Sequence, residues 1–178
     1  MKGIVFTTLL KMVEEAHGFD MVDTLIEKAD LPSGGAYTAV GTYDHREAVS
    51  LVVVLSEETG VAVPDLLKAF GEYLFGVLVT GYPNVVQTVN DPLEFLEGVE
   101  SYIHVQVRKL YPDAELPNFR SRRLSEVQLE MIYSSVRHFE DICEGLIIGA
   151  MKHFDRKASI EREALEDGRE KFVITLES

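Results

Sequence analysis

The residues with the most chemical capacity in this chain gather in Tyr133-Ser134-Ser135-Val136-Arg137, with His104 upstream. The segment before them alternates Val127, Leu129 and Met131 with Gln128 and Glu130, a strand pattern whose period of two carries Tyr133, Ser135 and Arg137 onto one face. Two hydroxyls and a guanidinium that converge in this way form an anion clamp. The guanidinium forks onto a carboxylate through two charge-assisted hydrogen bonds, and the hydroxyls donate to its remaining lone pairs. Carboxylates of a buried cofactor would fit such a clamp, and so would an acidic loop of the chain itself. His104 stands between Ile103 and Val105 on a segment of helical period; by residue type alone it is either a hydrogen-bonded core or boundary residue or a metal ligand.

The elements that must position these groups have their own signals. Val5, Leu9, Leu10, Met12 and Val13 recur at helical spacing up to His17-Gly18. Val22, Leu25 and Ile26 predict a second helix from Asp20 to Ala29, stopped by Pro32, Gly34 and Gly35. Arg46 to Leu55 reads as a third helix, although Val52-Val53-Val54 also suits a strand. Val63-Pro64-Asp65 opens a fourth, with Leu66, Leu67, Phe70, Leu74, Phe75 and Leu78 apolar before Gly81 and Pro83.

Asp91 and Glu94 have the spacing of a capping pair, and Pro92 takes the first helical position, where its missing N–H costs nothing. The helix they start has Leu93, Leu96, Val99, Ile103, Val107 and Leu110 as its apolar stripe, carries His104 and ends at Tyr111-Pro112. After the strand Val127–Tyr133, Phe139 to Phe154 is helical, with Ile142, Leu146, Ile147, Ala150 and Met151 apolar. Two alternating segments then flank the hairpin signal Asp167-Gly168. Helices followed by a small antiparallel sheet, without internal repeats, make the expected class α+β.

With 178 residues, 46% of them hydrophobic, the expectation is one domain over 1–178, helical to about residue 112 and sheet-containing from about 113. A formal net charge of −13 argues against nucleic acid and anionic membrane surfaces, and implies that a docking partner presents basic residues. The single cysteine, Cys143, cannot close an internal disulfide and reads as a buried packing residue. The N-terminus lacks the length and cleavage site of a signal peptide, and no stretch approaches the roughly 20 apolar residues of a membrane span. A soluble, cytoplasmic protein is expected. No nucleophile elbow, phosphate loop or His-Glu-x-x-His site is present, so no enzymatic activity is expected.

The Tyr-x-Ser-x-Arg pattern with a helical His upstream resembles the haem-nitric oxide/oxygen binding (H-NOX) family, over nearly the whole chain from Met1-Lys2-Gly3 to the closing strand. The resemblance implies haem b as cofactor, His104 as its iron ligand, and Tyr133, Ser135 and Arg137 as partners of the propionates. It implies that Pro117, in Leu116-Pro117-Asn118-Phe119, presses on the porphyrin. It also suggests Val5, Leu9, Leu74, Leu78 and Ile142 as distal-pocket residues, with Ile142 where oxygen-binding members carry a hydrogen-bonding Tyr. The pocket so composed is apolar, which implies a sensor of nitric oxide, and of carbon monoxide, that excludes oxygen.

Release of His104 from iron would then free its helix and let the macrocycle relax against Pro117. With no output segment in the chain, the resemblance implies a separate partner, a histidine kinase or a cyclic-di-GMP enzyme (diguanylate cyclase or phosphodiesterase). His17, His45, His138 and His153 occupy more polar contexts and are expected to face solvent without a role. The competing reading is a haem-free interaction module, its pocket filled by side chains or a lipid; such a protein would be colourless.

Overall fold

The computed structural model describes residues 1–86 and 89–177. Helix α1 (Gly3–His17) passes to α2 (Phe19–Lys28) through Gly18, whose φ of 85° is open to glycine without a Cβ clash. α3 (His45–Thr59) starts where the Asp44 side chain accepts a hydrogen bond from Arg46 N at 2.9 Å. It stops at the left-handed Gly60. Helix prevails over strand at Val52-Val53-Val54 because Leu51, Val52, Val54 and Leu55 are buried together with α1 and α4 residues, whereas Val53 is exposed. α4 (Val63–Gly81) carries Pro64 in its first turn.

Asp91 caps α5 (Pro92–Gly98), accepting from Leu93 N at 2.7 Å and Glu94 N at 3.4 Å. The backbone then widens into a π-helical turn, Val99–Ile103, and tightens again as α6 (His104–Leu110). The continuous helix expected from Pro92 to Leu110 is therefore interrupted. A wider turn shifts the angular register of every later residue, so the apolar stripe does not continue inward. Leu110 and Val105 are exposed while His104 is buried.

Four antiparallel strands, β1 (Asn118–Ser125), β2 (Gln128–Ser134), β3 (Ala158–Ala164) and β4 (Glu170–Leu176), form a sheet of order β1-β2-β4-β3. β2 lies one residue later than the expected Val127–Tyr133. β1 is not anticipated by its sequence: it is a polar edge strand with no buried residue, held in register by β2. β3 and β4 are joined through Gly168, at φ 78°, as the Asp167-Gly168 signal implies.

Between β2 and β3, α7 (Glu140–His153) packs on α4 with almost no side chain between them. A Cβ added at Gly71 would stand 2.2 Å from the Ile142 carbonyl oxygen, and one at Gly145 2.0 Å from that of Lys68. α7 thereby becomes a wall shared by two apolar clusters. One gathers Leu129, Met131, Tyr133, Phe172 and Ile174 of the sheet with α5 and α7 side chains; the other gathers Phe6, Leu9, Leu51, Phe70, Leu74 and Ile142. Leu146 packs against both. Each fully buried Leu, Ile, Met or Phe contributes about 1.5–3 kcal/mol to these clusters.

Candidate functional site

His104 is the residue at which the π-helical turn becomes α6, and it is 8% exposed. Its Nδ1 lies 3.0 Å from Glu100 Oε2. Burial holds the imidazole below the usual histidine range, against the upward pull of Glu100, so the ring is neutral at neutral pH. With Nδ1–H donating to the carboxylate, Nε2 carries the lone pair. Among the described residues Nε2 has no hydrogen-bond partner. A carboxylate that orients an imidazole in this way leaves the opposite nitrogen ready to ligate a metal. The described residues contain no group of three or more His, Cys, Asp and Glu able to hold a metal ion.

The His104 ring is 5.7 Å from that of Phe119, which is 5.6 Å from that of Tyr133, so α6 and the sheet meet through three aromatic rings. Tyr133 is buried on β2, and burial pushes its hydroxyl up to about 12, which keeps it a proton donor.

The pleat does not bring Ser135 and Arg137 beside Tyr133, as the period of two implied. β2 ends at Ser134, whose partner Asn118 is the first residue of β1, and beyond that pair the chain turns. Arg137 N donates to Ser135 Oγ at 3.2 Å, His138 takes a φ of 52°, and Phe139 N donates to the Tyr133 hydroxyl at 3.3 Å. The turn after β2 is therefore tied back to the strand end through Ser135 and Tyr133.

Arg137 already grips a carboxylate. Its side chain is 11% exposed, its Nη1 donates to the Glu115 carbonyl oxygen at 2.8 Å, and its Nη2 donates to the Glu115 carboxylate. Glu115 precedes half-buried Pro117 in the segment that leads into β1. A cleft of about 300 Å³ opens beside Arg137, lined among others by Met1, Lys2, Tyr43, His45 and Asp113. Lys2 Nζ bonds Thr42 Oγ1 at 2.9 Å and Asp113 at 3.2 Å, fastening the N-terminus to this segment.

Leu9, Leu74 and Ile142 are buried, Val5 and Leu78 half-buried, and all five belong to the helical cluster. Cys143 is buried in the other cluster, which pushes its thiol pKa up. His17, His138 and His153 are exposed as expected. His45 is not: it is half-buried, its ring edge-on to Phe139 at 6.2 Å. Glu100 and Glu115 were not singled out from sequence. The i, i+4 spacing of Glu100 and His104 was the available signal for the first; nothing local marks the second.

No helix is long and apolar enough to cross a membrane among the described residues. Comparison with curated proteins finds no match. The model of the haem-NO-binding family matches residues 2–162. The chain is similar to the solved Fe(II) unliganded H-NOX protein from K. algicida, with TM-score 0.94 and 42% identity over 100% of this chain and 97% of that one. It is similar to the H-NOX protein from S. oneidensis in the Fe(II)NO state, with TM-score 0.93 and 30% identity over 100% of both chains. A third match is the H-NOX from Shewanella woodyi, bound to IWP-051 in the Fe(II)CO state, with TM-score 0.84 and 40% identity over 98% and 94%. A helical body and a four-stranded antiparallel sheet that superpose on these proteins from end to end, together with the family match, place the chain in the haem-NO-binding (H-NOX) family.

Proposed function

We propose that this chain is a single-domain, haem b-based sensor that takes up nitric oxide and carbon monoxide and excludes oxygen. The observation that carries the reading is the state of His104: a buried, neutral imidazole whose Nδ1 is committed to Glu100 and whose Nε2 has no partner among the described residues. Ferrous haem, when bound, would supply the capacity to take up a diatomic gas. His104 Nε2 would hold its iron. Tyr133, Ser135 and Arg137 would hold the propionates, with Pro117 against the macrocycle. The Arg137–Glu115 pair supports this assignment, since a guanidinium set for one carboxylate accepts another by exchange.

Selectivity rests on the distal side chains. Oxygen capture by ferrous haem gains from a hydrogen-bond donor in the pocket, and nitric oxide capture does not need one. Val5, Leu9, Leu74, Leu78 and Ile142 offer no donor. The relatives solved with nitric oxide and with carbon monoxide are in keeping with these two gases. Output follows from the position of His104 at the start of a seven-residue helix: a shift of the imidazole moves α6, and a separate cytoplasmic partner, a histidine kinase or a cyclic-di-GMP enzyme, reads the changed surface.

The test is the visible absorption spectrum of protein expressed with ample haem supply. Reduced protein shows a Soret band that moves with carbon monoxide and with nitric oxide, and forms no stable oxygen complex in air. Absence of a Soret band, or a persistent oxygen spectrum, overturns the proposal.

A further inference from the structure

Glu100 gathers three donors from three places in the chain. Its Oε2 accepts from His104 Nδ1 at 3.0 Å and from the backbone N–H of Phe119 at 3.2 Å, and its Oε1 accepts from Arg108 Nη2 at 3.1 Å. The first donor opens α6, the third lies one turn further along it, and the second belongs to β1. Glu100 itself sits in the π-helical turn, the irregular part of this helical segment.

We infer that Glu100 is the positioning residue of His104 and the link through which displacement of the imidazole reaches the sheet. This rests on His104 being the iron ligand. A carboxylate that accepts the Nδ1 proton fixes the ring's tautomer and orientation and strengthens Nε2 as an electron-pair donor. The same oxygen anchors the start of β1: Phe119 pairs with Tyr133 and is separated from Pro117 only by Asn118. One carboxylate therefore touches both the imidazole and the strand that continues from the proline. Displacement of His104 removes one of the two donors at Oε2 and leaves the carboxylate free to turn toward Arg108. The Phe119 amide then loses its acceptor. The π-helical turn is suited to this movement, because it can return to regular α-helix without changing its ends.

The experiment compares holo wild type with Glu100→Ala and with the isosteric Glu100→Gln, which keeps a neutral acceptor and a similar volume. In the ferrous protein without gas, the iron–histidine stretching band in the resonance Raman spectrum shifts to lower frequency in Glu100→Ala and by a smaller amount in Glu100→Gln. Hydrogen exchange at the Phe119 amide accelerates about tenfold or more in Glu100→Ala, in line with loss of one charge-assisted hydrogen bond. A residue that served packing alone would leave the stretching band in place. Wild-type band position and wild-type Phe119 exchange in both variants overturn the role of Glu100 while leaving the ligand assignment intact. A wild-type protein with no iron–histidine band at all removes the ligand assignment, and this inference with it.

Discussion

Substituting Gly145 by alanine examines the contact that sets α7 against α4. A Cβ at this position would lie 2.0 Å from the Lys68 carbonyl oxygen, 2.8 Å from Gly71 Cα and 2.9 Å from Glu72 N. All three are backbone atoms of α4, so no side-chain rotation relieves the overlap. Restoring an ordinary contact of at least 3.4 Å requires α7 and α4 to part by more than about 1 Å, which loosens Leu74 and Ile142 on one side and Phe75 and Ile147 on the other.

Overpacking costs about 1–3 kcal/mol, and rigid backbone partners place this case at the upper end. The higher helix propensity of alanine offsets about 1 kcal/mol. The net loss is about 2 kcal/mol, which lowers Tm by about 4–8 °C in a chain of this size. Thermal unfolding followed by far-UV circular dichroism measures it, with Gly76→Ala as the control. A Cβ at Gly76, also on α4, meets nothing within 4 Å, so that variant is expected to gain up to about 1 kcal/mol. A Gly145→Ala protein as stable as wild type would refute the close-approach argument.

His104→Gly is expected to lose the native haem spectrum and to recover it with exogenous imidazole; native spectra without imidazole would remove His104 as the ligand. Ile142→Tyr places a donor in the helical apolar cluster and is expected to raise oxygen affinity about tenfold to a hundredfold, read by oxygen titration of the reduced protein. Unchanged affinity would show that position 142 does not face the bound gas. Glu144 accepts from Lys68 at 2.6 Å and from Arg162 at 2.8 Å; burial raises its pKa, and these two cations outweigh burial and hold it below the ordinary value of 4.5. The unfolded chain takes up this proton first as pH falls. The carboxylate therefore contributes stability above pH 4.5 that is lost as pH drops through the lower folded-state value. Glu144→Gln flattens the acid limb of a plot of Tm against pH, and parallel acid limbs would refute the assignment.

Much of the scaffold was legible because its signals are local. Gly18 ends α1, Asp91 caps α5, and the alternation of Leu129 and Met131 or of Phe172 and Ile174 marks β2 and β4, each through residues close in sequence. β1 was not legible: Arg120, Arg122 and Arg123 give no alternation, and the strand exists because β2 supplies its hydrogen bonds. Tyr133, Ser135 and Arg137 were singled out by residue type, but the strand alternation read through all three stops at Ser134. A period of two holds only while the backbone stays extended, and β2 ends at Ser134 where the chain turns.

By itself the sequence determined the order of most helices and strands, the α+β class, and a short list of candidate site residues, because hydrophobic period, capping and residue type act over a few positions. Tertiary structure alone decided that His104 is a neutral, buried ring oriented by Glu100, that Arg137 grips Glu115, and that α4 and α7 meet at bare glycines. Those properties arise between segments far apart in the chain, where burial and charge depend on what folding brings within about 3 Å rather than on what stands next in line.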